Sequence, residues 1–176
     1  MKDKKKPPTW PDDIYEVFKQ VNIQQVAYVP DAGHTQLIKS CHADRDMKTV
    51  SLTTEEEGVA MLAGTWLGGQ RGALLLQSSG VGNCINLLSI MNECRFPALM
   101  LVTMRGEWGE FNPWQIAMGQ GTPPVLQNAG VIVQRVDRAK DVREFTFAAA
   151  QLTFNTSRPV ALLISQRIVG FKDWSK

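Results

Sequence analysis

The sequence predicts a three-layer α/β/α domain on a six-stranded parallel sheet. Two observations carry that prediction. Short apolar segments alternate with segments of helical periodicity along most of the chain. The apolar segments are apolar throughout rather than at every second position, which is the pattern of strands buried on both faces. Helices on both sides of such a sheet, joined by right-handed crossovers, complete the architecture.

The elements follow in order. "PDDIYEVFKQVN" (11–22) reads as a helix, with Pro11 at its start and Asp12 and Asp13 in its first turn. "QQVAYVP" (24–30) is a strand ended by Pro30, "HTQLIKSCHA" (34–43) a helix and "KTVSL" (48–52) a strand. A helix over 54–67 ends at Gly68 and Gly69. "GALLLQ" (72–77), a helix over 82–93 and "PALMLVTM" (97–104) come next. The stretch 105–124 reads as irregular, followed by a short helix. "VIVQRV" (131–136), a helix over 139–155 and "PVALLI" (159–164) close the pattern.

The bulk properties bound the function. At 176 residues, 44% hydrophobic and 20% charged, the chain has the makeup of one globular domain. "MKDKKKPP" is basic, so residues 1–10 read as a flexible tail and 11–176 as a single domain. A net charge of +2 does not point to nucleic acid. No apolar run is long enough to span a bilayer. Cys41, Cys84 and Cys94 are odd in number and fit no metal-ligand spacing, so reduced thiols in the cytoplasm are the simplest reading. His34 and His42 are the only histidines, and no metal site is expected.

Ligands of parallel sheets sit beyond the C-terminal strand ends. Loops 30–34, 52–55, 77–83 and 104–120 therefore share the functional edge. In "PDAGH" (30–34), Asp31 reads as a turn cap, and His34 is either structural or a proton-transfer or ligand group. In "SLTTEEEGVAMLAGTWLGG" (51–69), Thr54 and Glu57 have capping-box spacing. Glu56 and Glu57 also suit the helix dipole. Glu55 is different. It leads a stripe of Val59, Leu62, Ala63 and Trp66, which a helix buries, and is thereby drawn out of water. Ala60, Gly64 and Gly68 leave another side thin enough for close packing. In "QSSGVGNCIN" (77–86), Gly80 and Gly82 permit tight turns, and Gln77, Ser78, Ser79 and Asn83 offer polar contacts. Neither the P-loop ending nor the dinucleotide fingerprint is present. The fourth loop holds Arg105, Glu107, Trp108, Asn112, Trp114 and Gln115. Arg105 follows a strand end, where a guanidinium can meet an anion, and the tryptophans suit a subunit interface.

Glu55, then "EEEGVAMLAG" (55–64), then "QSSGVGN" (77–83) after the next strand resembles the pyrimidine-binding domain of thiamine-diphosphate enzymes. With "VPD" (29–31) and "RGEWGE…PWQIAMGQGTP" (105–123), the chain is most similar to sulfopyruvate decarboxylase α subunits and the matching half of phosphonopyruvate decarboxylase. The resemblance runs from about residue 11 to the end of the chain. It implies that Glu55 shares a proton with a ring nitrogen of thiamine diphosphate and so activates the cofactor, while Gln77, Ser79, Gly80 and Asn83 line the pocket. His34, Arg105 and Gln115 become candidate contacts to a 2-oxo acid such as 3-sulfopyruvate or phosphonopyruvate.

The family's diphosphate-binding half carries a Gly-Asp-Gly sequence, which this chain lacks. The resemblance therefore implies a separate β subunit that binds Mg²⁺ and the diphosphate, hence a hetero-oligomer, with self-association possible in isolation. Ser78 and the residues after Asp31 depart from the family pattern, which bears on the substrate more than on the cofactor. Two alternatives stay open: a subunit that ligates or transfers a two-carbon unit, or a non-catalytic subunit of this fold.

Overall fold

Successive residues of a strand point to opposite faces, and the two central strands are apolar on both. On β3 (Arg71–Gln77), Ala73 and Leu75 enter one core, while Leu74 and Leu76 enter the other. On β4 (Ala98–Thr103), Leu99 and Leu101 share the first core, and Met100 and Val102 the second. The computed structural model describes residues 9–171.

Around these strands lie β1 (Ile23–Tyr28), β2 (Lys48–Ser51), β5 (Ile132–Val136) and β6 (Pro159–Ile164), in the order β2-β1-β3-β4-β6-β5. Every pairing is parallel, as the sequence predicts. The first core is closed by α1 (Trp10–Gln20), α2 (Thr35–Ala43) and α7 (Val142–Thr156). The second is closed by α3 (Glu55–Leu67), α4 (Ser78–Cys84), α5 (Leu88–Glu93) and α6 (Trp114–Asn128). A short α8 (Gln166–Val169) follows β6. No helix among the described residues is long and apolar enough to cross a membrane.

The strand order reverses direction between β1 and β3, and again between β4 and β6. Loops diverge at such reversals and leave a crevice at the C-terminal edge. Asp31, Gln77, Thr103, Arg105 and Gln166 all lie where strands at these two reversals end.

Four local expectations are corrected. Of the tail expected over 1–10, residues 1–8 lie outside the described residues, while Thr9 caps α1 and Trp10 opens it: the Thr9 N–H donates to Asp12 Oδ2 at 2.8 Å. The helix expected over 82–93 begins at Ser78 and breaks at 85–87, giving α4 and α5. A 15-residue helix, α6, begins inside the irregular stretch and takes in the short helix expected after it, with Pro123 and Pro124 inside. Both prolines lack an N–H, but Thr122 and Leu126 are buried on α6 and hold it against α4. Finally, Glu57 reaches back to the Thr53 N–H at 2.9 Å rather than closing a box with Thr54.

Candidate active site

Glu55 opens α3 at the C-terminal edge of the sheet and is 8% exposed. Val59 and Leu62 continue the buried stripe, with Ala63 and Trp66 half-buried. Asn83 Nδ2 donates to Glu55 Oε2 at 2.7 Å. Among the described residues, Oε1 has no hydrogen-bond partner and no cation pairs with the group. One oxygen is fixed by Asn83, and the other packs onto Gly80.

Gly80 makes this placement possible. A Cβ there would overlap the Glu55 carboxylate. Turn geometry is not the reason for the glycines, because neither Gly80 nor Gly82 has positive φ and both are helical. Their value is close approach. Glu55 packs onto Gly80, and a Cβ on Gly82 would lie 3.7 Å from Met118 Sδ.

A second group of side chains spans β1, β3 and β4. Ser79 Oγ donates to Gln77 Oε1 at 2.8 Å, and Gln77 Nε2 donates to Asp31 Oδ1 at 3.0 Å. Thr103 Oγ1 donates to Asp31 Oδ2 at 2.6 Å. Asp31 is thus more than a turn cap. With Gly33, Thr103, Arg105, Gly170 and Phe171 it lines a cavity of about 190 Å³. Neither Asp31 nor Thr103 carried a site role in the sequence reading. The available signal was their position at the ends of adjacent strands.

The loop after β4 is fastened by two acids. Glu110 accepts from Arg105 Nε at 2.7 Å and Nη2 at 2.5 Å, from the Gly106 and Asn112 N–H groups at 3.0 Å each, and from Gln166 Nε2 at 2.9 Å. Arg105 and these other donors hold the Glu110 carboxyl at about 2, well below the usual carboxylate range. Glu107 accepts from Arg135 Nη1 and Nη2 at 2.7 and 2.8 Å and from the Gln166 N–H at 2.8 Å. Glu110 and Gln166 were not legible in advance. They meet across 56 residues, at the second strand reversal.

The three candidate substrate contacts fare differently. Arg105 lines the cavity, but bound bidentately to Glu110 rather than open. His34 is fully buried, with Nε2 against the Leu101 carbonyl at 3.1 Å and Nδ1 unpartnered among the described residues. Burial pushes its pKa below the ordinary value, so it sits neutral beneath the strand ends. His34 does not line the cavity beside Asp31. Gln115 is half-buried on α6, its backbone carbonyl abutting Gly106, and it does not line the cavity.

Along α3 and at the start of α6 small and apolar residues reach the surface. Ala60 and Gly64 are exposed on α3, Leu67 is 73% exposed, and Trp114 at the start of α6 is 88% exposed. A larger cleft of about 670 Å³, lined by Asn92, Gly130 and Arg158 among others, lies at the opposite, N-terminal edge and contains none of the groups above.

A parallel α/β domain with a half-held glutamate and a polar string at its strand reversal is a ligand-binding domain. Comparison with known proteins is more specific. No family profile matches the chain. It is 31% identical over 151 residues to sulfopyruvate decarboxylase subunit alpha of Methanocaldococcus jannaschii, covering 85% of this chain and 89% of that one. The corresponding subunit of Methanococcus maripaludis is 30% identical over 152 residues, 86% and 91% of the two chains. Phosphonopyruvate decarboxylase of Streptomyces viridochromogenes is 32% identical over 90% of this chain but only 41% of its own length. Among solved structures, 2-oxoglutarate:ferredoxin oxidoreductase from Magnetococcus marinus superposes with a TM-score of 0.72 at 14% identity, over 92% of this chain and 29% of that one. The chain belongs to the family of sulfopyruvate decarboxylase α subunits.

Proposed function

We propose that this chain is the pyrimidine-binding half of a cytoplasmic, thiamine-diphosphate-dependent decarboxylase that acts on an anionic 2-oxo acid such as 3-sulfopyruvate. The observation that carries the reading is the state of Glu55. It is nearly buried, fixed at Oε2 by Asn83, and seated with Oε1 against Gly80, where that oxygen has no hydrogen-bond partner among the described residues. That cradle fits an aminopyrimidine, whose ring nitrogen needs a carboxyl partner to share a proton. The bound cofactor would supply an electron-accepting ring carbon for the carbon–carbon cleavage.

The chain's own residues do the rest. Glu55, at 8% exposure, would share a proton with that ring nitrogen through Oε1. Asn83 keeps the carboxylate from turning away. Gln77 and Ser79 extend the polar wall from Glu55 toward Asp31 and the 190 Å³ cavity, where the oxo acid would lie next to Arg105.

In this reading a separate β chain holds Mg²⁺ and the diphosphate and covers the exposed face of α3 and α6. A site shared by two chains is an open surface on each alone, which accounts for a cofactor position outside the larger clefts. The relatives' designation as alpha subunits supports a partner chain.

The test is co-expression with the chain encoded beside it, then assay of CO₂ release from 3-sulfopyruvate, phosphonopyruvate and pyruvate with thiamine diphosphate and Mg²⁺. Release that requires both chains, and that Glu55→Gln nearly abolishes without loss of the complex, is the expected result. Full activity of Glu55→Gln would remove Glu55 from the chemistry.

A further inference from the structure

The cavity beside Asp31 has a charge problem. Its one cation among the described residues, Arg105, is bound by Glu110, and Asp31 itself is an acid. Arg105, Glu110 and Asp31 together carry a net charge of −1. A guanidinium has five N–H donors, and Glu110 takes one on Nε and one on Nη2. Nη1 has no hydrogen-bond partner among the described residues, and the Arg105 side chain is 18% exposed. Nη1 therefore keeps its donors for an anion, with the guanidinium carbon 5.5 Å from the Phe111 ring centroid, while Glu110 keeps the near edge.

Glu110 does not leave to make room. Its side chain is 4% exposed and accepts from Gly106, Asn112 and Gln166 as well as from Arg105. Glu110 is fixed by the loop and by Gln166 after β6, and Arg105 is fixed by Glu110.

We infer that Glu110 is a specificity-determining positioning residue: acting through Arg105, it sets both the place and the strength of the anion contact beside Asp31. It aims the remaining N–H groups into the cavity, and its own charge weakens their pull on a second negative group. This rests on the reading of the substrate as an anionic 2-oxo acid, but the anion contact is separable from the chemistry. Glu110→Gln removes the opposing charge and, because its amide nitrogen meets N–H donors where one carboxylate oxygen stood, also loosens the hold on Arg105. At a separation of roughly 6 Å and an effective dielectric constant of about 40, one charge is worth about tenfold in binding. Glu110→Asp keeps the charge but withdraws the carboxylate by one methylene, disturbing position alone.

The experiment titrates methanesulfonate into the full chain, followed by amide chemical shifts, for wild type, Glu110→Gln, Glu110→Asp and Arg105→Ala. Shifts at residues 31–33 and 105–106 are expected, with affinity raised about tenfold in Glu110→Gln, not raised in Glu110→Asp, and lost in Arg105→Ala. In the two-chain complex, the kcat/KM ratio of 3-sulfopyruvate to pyruvate should rise in Glu110→Gln and fall in Arg105→Ala. Loop loosening alone would weaken both substrates together and leave the ratio unchanged, and that result overturns the inference. So does equal behaviour of Glu110→Gln and Glu110→Asp, or no methanesulfonate binding by any of the four proteins. If the complex decarboxylates nothing but the methanesulfonate series holds, the function fails while the role of Glu110 in the anion contact stands.

Discussion

Gly80→Ala adds a single methyl group at the point where the Glu55 carboxylate lies on α4. Two effects oppose each other. Gly80 is helical without positive φ, so alanine should favour the helix by about 1 kcal/mol. The new Cβ, however, would overlap the Glu55 carboxylate, and overpacking of this kind costs about 1–3 kcal/mol. Glu55 can relieve the overlap only by swinging off, which breaks the bond from Asn83. The sum is a loss of about 0–2 kcal/mol, or a fall in Tm of no more than about 8 °C for a chain of this length. The functional loss should be far larger, because the carboxylate no longer points where it did.

Gly82→Ala is the control. Its Cβ would meet Met118 at 3.7 Å, an ordinary contact, so the helix gain survives and Tm should rise by about 2–4 °C. Thermal unfolding followed by far-UV circular dichroism on the isolated chain, paired with CO₂ release from the complex, reads both. If Gly80→Ala gains as much stability as Gly82→Ala and keeps full activity, Glu55 does not rest on Gly80 and the geometry assigned to it is wrong.

Two further predictions follow from titratable groups. Glu110 has its carboxyl held at about 2, against an ordinary 4.5. Its folded pKa is depressed, so its contribution, on the order of 3 kcal/mol, is present above about pH 4.5 and lost as pH falls toward 2. Urea unfolding across that range should show the decline, and Glu110→Gln should flatten it. Among the thiols, Cys41 and Cys84 are buried, and burial pushes both up to about 12, whereas Cys94 is exposed. One equivalent of a thiol reagent should react quickly with the native chain and three after denaturation; rapid reaction of two or more native thiols would contradict the packing around α2 and α4.

The central strands β3, β4 and β6 were readable because burial on both faces leaves a local mark, an uninterrupted apolar run, whereas β2 and β5 at the sheet edges are only partly buried and were readable from their alternation with helices. Glu55 was readable for a related reason: a carboxylate at the head of an apolar stripe breaks a local rule. α6 was not, because Gly119, Gly121, Pro123 and Pro124 are helix breakers by propensity. Packing overrides them. A Cβ on Gly119 would overlap the Arg105 carbonyl, so this helix needs glycine where the β4 loop crosses it. The same substitution rule misassigned Gly80 and Gly82, which were read as turns and serve as contact points.

The sequence by itself determined the fold class, the functional edge and the one acid out of place, since each depends on periodicity or on neighbours within a few positions. Only the tertiary structure decided what Asp31, Thr103, Glu110, Gln166 and His34 do. Hydrogen bonds pair them with partners 46 to 72 residues away. No local pattern records such pairings, because the strand order β2-β1-β3-β4-β6-β5 sets which loops meet, and that order is fixed by how the whole sheet packs.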